Sequence, residues 1–132
     1  LVTARGTPFA DRKTVTWQEA GSVRLCLLTA DMQNRRIINR HFAEAGVSVE
    51  PSLEANSMIV LFSHVRTGRW ASIMPRNVAK SFGFPDEISI VSLVEPEPHH
   101  TVGLVATHRE PFTPLVSALL HEARVMAEKG ID

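Results

Sequence analysis

Two corners of this sequence combine hydroxyls, amides and helix starts in a pattern suited to gripping a small polar group. The first is Thr29-Ala30-Asp31-Met32-Gln33-Asn34, which leaves an apolar run and enters an amphipathic segment. The second is Asn56-Ser57, directly ahead of Met58 and another apolar segment. The first turn of a helix has N–H groups without intrahelical acceptors and carries partial positive charge, so hydroxyls and amides beside it can help to hold an anion. The same residue types are the commonest helix caps, and Thr29, Asp31, Asn34, Asn56 and Ser57 have that plainer use as well. Asp31 would repel an anion unless it caps its own helix or pairs with Arg35 at the i, i+4 spacing.

Other chemistry finds little support in the residue spacing. Six histidines include the dense group His99, His100 and His108, but neighbouring residues on an extended segment point to opposite sides and no Cys or carboxylate completes a convergent set. His41, His64 and His121 fall singly on helix surfaces, so no metal site is expected. Ser63-His64 and Thr107-His108 lack a third member, and no glycine-rich phosphate loop, nucleophile elbow or Cys-x-x-Cys occurs. No catalytic residues and no cofactor are expected. The single Cys26 sits between Leu25 and Leu27, where a thiol behaves as a small buried hydrophobe. It allows no internal disulfide, which suits a reducing cytoplasm. Trp17 and Trp70 are expected to serve as core or hinge packing.

The elements that must carry the two corners follow from periodicity and punctuation. A strand is expected at Leu1 to Ala4, then a polar loop, then a short helix opened by the capping-box spacing of Thr16 and Glu19 and closed by Gly21. Val23 to Leu28 reads as a buried strand of a parallel sheet. The helix from about Met32 to Ala45 buries Ile37, Ile38, Phe42 and Ala45, turns Arg35, Arg36, Arg40 and Glu44 elsewhere, and stops at Gly46. Pro51 makes Val47 to Ala55 an edge or irregular stretch. Helices are expected at Met58 to Thr67, ending at Gly68, and at Asn77 to Phe82. Strands are expected at Trp70 to Met74, Ile88 to Val94 and Thr101 to Ala106. The last helix runs from about Thr113 to Lys129 with Pro114 at its first position. Such alternation of strands and helices argues for an α/β layered sheet, in which ligands settle at the carboxyl ends of the strands.

Composition narrows the class further. The chain has 132 residues, 44% hydrophobic and 21% charged, which is one ordinary globular domain. Fourteen basic and fourteen acidic side chains balance to zero net charge, unlike a surface built to hold phosphate backbone, so DNA contact by this chain is not expected. No apolar run approaches the roughly 20 residues that cross a bilayer. The start, without Met and inside a strand, reads as a piece of something longer.

The order of these pieces resembles the effector-binding domain of LysR-type transcriptional regulators. The resemblance begins at Leu1 to Ala4 and Gly6-Thr7-Pro8-Phe9-Ala10, which stands where that family often has a His-Pro-Leu-Ala-like stretch. It continues through Leu27-Leu28-Thr29, Phe42-Ala43-Glu44-Ala45-Gly46 and Leu53-Glu54-Ala55-Asn56-Ser57. It is most specific at Val65-Arg66-Thr67-Gly68-Arg69-Trp70-Ala71-Ser72-Ile73-Met74-Pro75, and ends with Thr101 to Val105 and Glu110 to Pro114.

The resemblance implies an α/β, three-layer periplasmic-binding-protein-like (type II) lobe with a mixed, mostly parallel sheet. The second lobe would span about residues 5–100, with crossover strands at 1–4 and 101–106. A C-terminal helix at about 113–129 would return to a first lobe outside this chain. The implied effector-binding residues are Thr29, Asp31, Met32, Gln33, Gly68 and Met74, with Asn56 and Ser57 at an adjacent helix start. Arg69-Trp70 departs from the small residues usual after that glycine and would narrow the cleft. The implied partners are a small-molecule effector, a small anion by the corner chemistry, and further copies in a homodimer or homotetramer. DNA would be bound only through an N-terminal winged helix-turn-helix outside this chain, in the cytoplasm and without a membrane. Leu25 to Ile38 and Ser57 to Pro75 are further similar to regulators of formate dehydrogenase operons. The alternative is a small-molecule-binding protein of the periplasmic-binding-protein class with no DNA-binding role.

Overall fold

The computed structural model describes residues 1–83, 86–97, 103–108 and 110–128. The chain divides into two compact units, Leu1–Pro98 and His99–Asp132. The first holds β1 (Val2–Ala4), β2 (Thr14–Thr16), α1 (Trp17–Ala20), β3 (Cys26–Leu28), α2 (Gln33–Glu44), β4 (Leu53–Ala55), α3 (Met58–Arg66), α4 (Arg76–Ser81), β5 (Ile88–Ile90) and β6 (Ser92–Val94). The second holds α5 (Pro114–Glu128).

The strands form a mixed set of three short ladders: β3 with β4 and β2 with β6 run parallel, β1 with β5 antiparallel. The expected strand at Trp70 to Met74 is reduced to bridges at Ala71 and Ser72, because Pro75 at once opens α4. Those two residues still sit in the middle of the sheet. Ala71 N–H donates to Arg24 O at 2.9 Å and Cys26 N–H to Ala71 O at 2.9 Å, while Ser72 and Val2 exchange both bonds at 2.9 and 2.7 Å. The order is therefore β4, β3, residues 71–72, β1, β5. As Pro51 foretold, β4 lies at an edge, pairing among the described residues with β3 alone.

The period-two pattern of β3 divides the core. Leu25 and Leu27 join Val15, Trp17, Ile38, Phe42, Ile73 and Val91, whereas Cys26 and Leu28 face Val2, Leu61, Phe62, Val65, Met74, Ala79 and Ile88. Helices α1 and α2 thus cover one face of the sheet, and α3 and α4 the other.

Four expectations need correction. Ile88 to Val94 is two strands, because at buried Val91 the chain leaves β1 for β2; Val91 N–H still donates to Leu1 O at 2.8 Å. Between the expected polar loop at Asp11–Lys13 and the short helix lies a strand that was not expected, β2 (Thr14–Thr16), whose Val15 is buried between exposed Thr14 and half-buried Thr16. His41, expected on the surface, is 4% exposed and stacks on Trp17 with centroids 4.9 Å apart. Of the expected strand at Thr101 to Ala106, residues 101–102 lie outside the described residues and 103–106 adopt no regular structure.

Local signals succeed where the chemistry is self-contained. Thr16 Oγ1 accepts from Glu19 N–H at 3.1 Å and Glu19 Oε2 accepts from Thr16 N–H at 2.9 Å, the complete capping box. Thr16→Ala is expected to lower the unfolding free energy by about 1 kcal/mol, read from urea denaturation midpoints; an unchanged midpoint would show that α1 is held by Trp17 alone. In the second unit α5 begins at Pro114, as expected, and within that unit Leu115, Leu119 and Met126 remain exposed.

Candidate functional site

Parallel pairing gathers the helix starts at one end of the sheet. Residues 71–72 and β4 both run parallel to β3, so α2, α3 and α4, which follow these three segments, all begin at the carboxyl end of β3. None of the three carries an acidic residue in its first turn or a side-chain cap at its N-cap position. The intrahelical bonds begin at Arg36 N–H to Met32 O, 3.2 Å, in α2 and at Leu61 N–H to Ser57 O, 3.2 Å, in α3. The N–H groups ahead of them are left for other acceptors.

The capping expectation therefore gives way. Ser57 occupies the N-cap position of α3 but its side chain makes no capping bond, and Met32, not Asp31 or Asn34, occupies that of α2. Thr29 Oγ1 and Asn34 Nδ2 are both buried at the start of α2 and find no hydrogen-bond partner among the described residues. A buried polar atom left unpaired costs about 1–3 kcal/mol. Asp31 is exposed, and its carboxyl is held below the usual range, first by the neighbouring Thr29 hydroxyl, then by its own N–H, with Arg36 adding to both. Asp31 does not pair with Arg35, which turns the other way to Glu54.

The two corners are adjacent: Thr29 N–H donates to Ala55 O at 3.1 Å, bringing Asn56-Ser57 beside Thr29. Beneath them, buried Met74 and half-buried Met32 and Met58 pack on the same apolar cluster, which gives this end a pliable thioether floor. Gln33, the first residue of α2, and Asn56 are exposed.

Gly68 is not brought to this end. It precedes residues 71–72 and lies at the amino end of β3, with φ +73°, where a Cβ would stand 3.9 Å from Thr7 Cγ2 and 4.0 Å from Ala4 Cβ. Its role there is to supply the left-handed turn after α3. Trp70 is at that same far end, its ring under the Arg24 guanidinium at 5.4 Å and edge-on to His64 at 5.4 Å, so it does not narrow the Thr29 corner. Sequence reasoning missed Met58 as part of the floor and Asn34 as more than a cap. The burial of Asn34 Nδ2 depends on the fold and has no local signal.

Among the described residues no three His, Cys, Asp or Glu gather as a metal ligand set, with His99 and His100 outside them. Nor is any described helix long and apolar enough to cross a membrane. Cys26 is fully buried, with its Sγ 3.7 Å from Leu61 O.

An α/β unit whose helices start uncapped at one strand end has the layout in which open sheets take ligands. The chain matches the LysR substrate binding domain over residues 1–127 and belongs to that family, the effector-binding domain of LysR-type transcriptional regulators, which is not an enzymatic family. It is also similar to the probable nitrogen assimilation transcriptional activator of Synechococcus elongatus, 24% identical over 109 residues, 83% of this chain and 35% of that protein. The chain thus spans about a third of that relative's length.

Proposed function

We propose that the strand-end corner of Thr29, Asp31, Met32, Gln33, Asn56 and Ser57, floored by Met74, binds a small anionic effector of a cytoplasmic LysR-type transcriptional regulator. The observation that carries this reading is the pair of buried, unpartnered atoms Thr29 Oγ1 and Asn34 Nδ2 beside the uncapped start of α2. The absence of acidic residues from the first turns of α2, α3 and α4 favours an anion over a cation. A small carboxylate offers the acceptors that these donors need. Asp31 is exposed, with its carboxyl beside the Thr29 hydroxyl and Arg36 offsetting part of its charge, so an anion would have to displace it from that hydroxyl.

In the whole regulator this unit would be the second lobe of a three-layer, type II periplasmic-binding-protein-like domain. The two apolar clusters on either side of the sheet support that architecture. The exposed apolar residues of α5 would cover a first lobe, and DNA binding would belong to an N-terminal winged helix-turn-helix in a homodimer or homotetramer. The narrower likeness to formate dehydrogenase operon regulators makes formate the first carboxylate to test; the similar nitrogen assimilation activator points to no carboxylate in particular.

The test titrates the full-length regulator with formate, acetate and small dicarboxylates. Thr29→Val and Ser57→Ala should each weaken the response tenfold to a hundredfold, the loss of about 1.5–3 kcal/mol for a hydrogen bond to a charged ligand, while operator binding is retained. Wild-type sensitivity in both variants would place recognition elsewhere.

A further inference from the structure

Arg35 is the third residue of α2 and is 5% exposed, a buried cation at the end of a helix whose dipole disfavours it. The amphipathic pattern placed it away from the core, yet its guanidinium turns inward and donates through both Nη1 and Nε. Nη1 donates to Leu28 O at 2.6 Å and to Glu54 Oε1 at 2.6 Å, and Nε donates to Asn39 Oδ1 at 2.8 Å. Leu28 is the residue before Thr29, and Glu54 is two residues before Asn56. One side chain therefore reaches the last residue of β3, the middle of β4 and the body of α2.

Burying a guanidinium is costly unless it is paired and its donors are satisfied, and a planar fork with several donors can bind separate acceptors at once, which a Lys ammonium on a flexible stem does less well. Glu54 is 44% exposed, so its charge is partly screened and the carbonyl and amide oxygens supply the rest of the satisfaction. Two of the three bonds tie Arg35 to β3 and β4 just ahead of the two corners, and the third stays within α2.

We infer that Arg35 is a positioning residue, a latch that holds the starts of α2 and α3 at fixed spacing across the Thr29–Ala55 contact. The inference rests on the proposed effector site for its functional meaning, but the latch is measurable without any ligand. The β3–β4 ladder and the Thr29–Ala55 bond set the register of the corners, the guanidinium spanning Leu28 and Glu54 braces it, and a ligand gripped by both helix starts needs that register.

The experiment is amide hydrogen exchange on the full-length regulator. In Arg35→Met, exchange at Thr29, Arg36 and Leu61 is expected to accelerate together by about tenfold, while Val2 and Gly21, whose bonds lie elsewhere, keep their wild-type rates. Glu54→Gln, which keeps an acceptor oxygen and removes the charge, should give the same pattern more weakly and decides the matter if Arg35→Met fails to fold. Arg35→Lys should recover only part of the protection. Acceleration confined to α2, with Leu61 unmoved, would overturn the latch, as would a uniform rise at every amide in Glu54→Gln. Faster exchange at all three corner amides supports it even if Thr29→Val responds normally to carboxylates, an outcome that would sink the effector reading alone.

Discussion

Trp17→Ala is expected to lower the unfolding free energy by about 3–5 kcal/mol, the range for removing a large aromatic from a packed interior. Trp17 is 2% exposed, stacks on His41 at 4.9 Å and meets Phe42 edge-on at 5.2 Å. Its indole Nε1 donates to Pro96 O at 3.0 Å. The ring therefore joins three parts of the first unit: α1, the face of α2 that carries His41 and Phe42, and the segment after β6. Truncation leaves a void between helices that close packing cannot easily refill, and strips a carbonyl of its donor. Trp17→Phe separates the two losses. It keeps most of the ring and is expected to cost about 1–2 kcal/mol, mainly for the hydrogen bond and a little volume. Urea denaturation midpoints on the three proteins check both figures; a loss under about 1 kcal/mol for Trp17→Ala would mean that α1 is peripheral to the core.

The sequence made visible those features whose cause lies within a few residues. The capping box of Thr16 and Glu19 needs only a three-residue spacing, and both of its bonds are present. The run from Leu25 to Leu28 alternates between the two apolar clusters, so its reading as a buried strand needed nothing beyond its own composition. Features decided by distant partners were hidden. Arg35 has the periodicity of an outward residue because its acceptors, Leu28 O and Glu54, come from two strands that meet only in the folded chain. His41 looks like a surface histidine until Trp17 covers it. The break at Val91 arises because β5 and β6 pair with different strands, which no local pattern encodes. At the candidate site the two corners were legible from helix starts and from the family resemblance together, and Met74 from the resemblance. Gly68 came from the resemblance alone, and the parallel direction of residues 71–72 carries it to the opposite end of the sheet.

Stability is expected to fall as pH rises from about 9 to 11, through Cys26. Its side chain is fully buried, and that burial pushes the thiol from an ordinary 9.0 up to about 11, with the Ser72 hydroxyl and its own N–H offsetting only part of the rise. Below pH 9 the thiol is neutral in both states and contributes no pH dependence. Between the two values the unfolded chain releases its proton while the folded chain keeps it. The folded state then binds more protons, and the unfolding free energy must decrease with pH. The decline approaches roughly 3 kcal/mol once pH exceeds the folded value, since each pKa unit corresponds to about 1.4 kcal/mol. The composition helps to isolate the effect, because the chain contains no tyrosine to titrate in the same window. Urea midpoints measured from pH 8 to 11 should slope downward in the wild-type protein and much less in Cys26→Ala, which has no proton to lose at that position. Below pH 9 the variant should sit lower by a constant amount, the small cavity left by the sulfur, so the two curves converge at high pH. Parallel curves would mean that the thiol ionises in the folded protein as easily as in the unfolded chain. In that case the side of the sheet shared by Leu28, Leu61 and Val65 would have to admit water to Cys26.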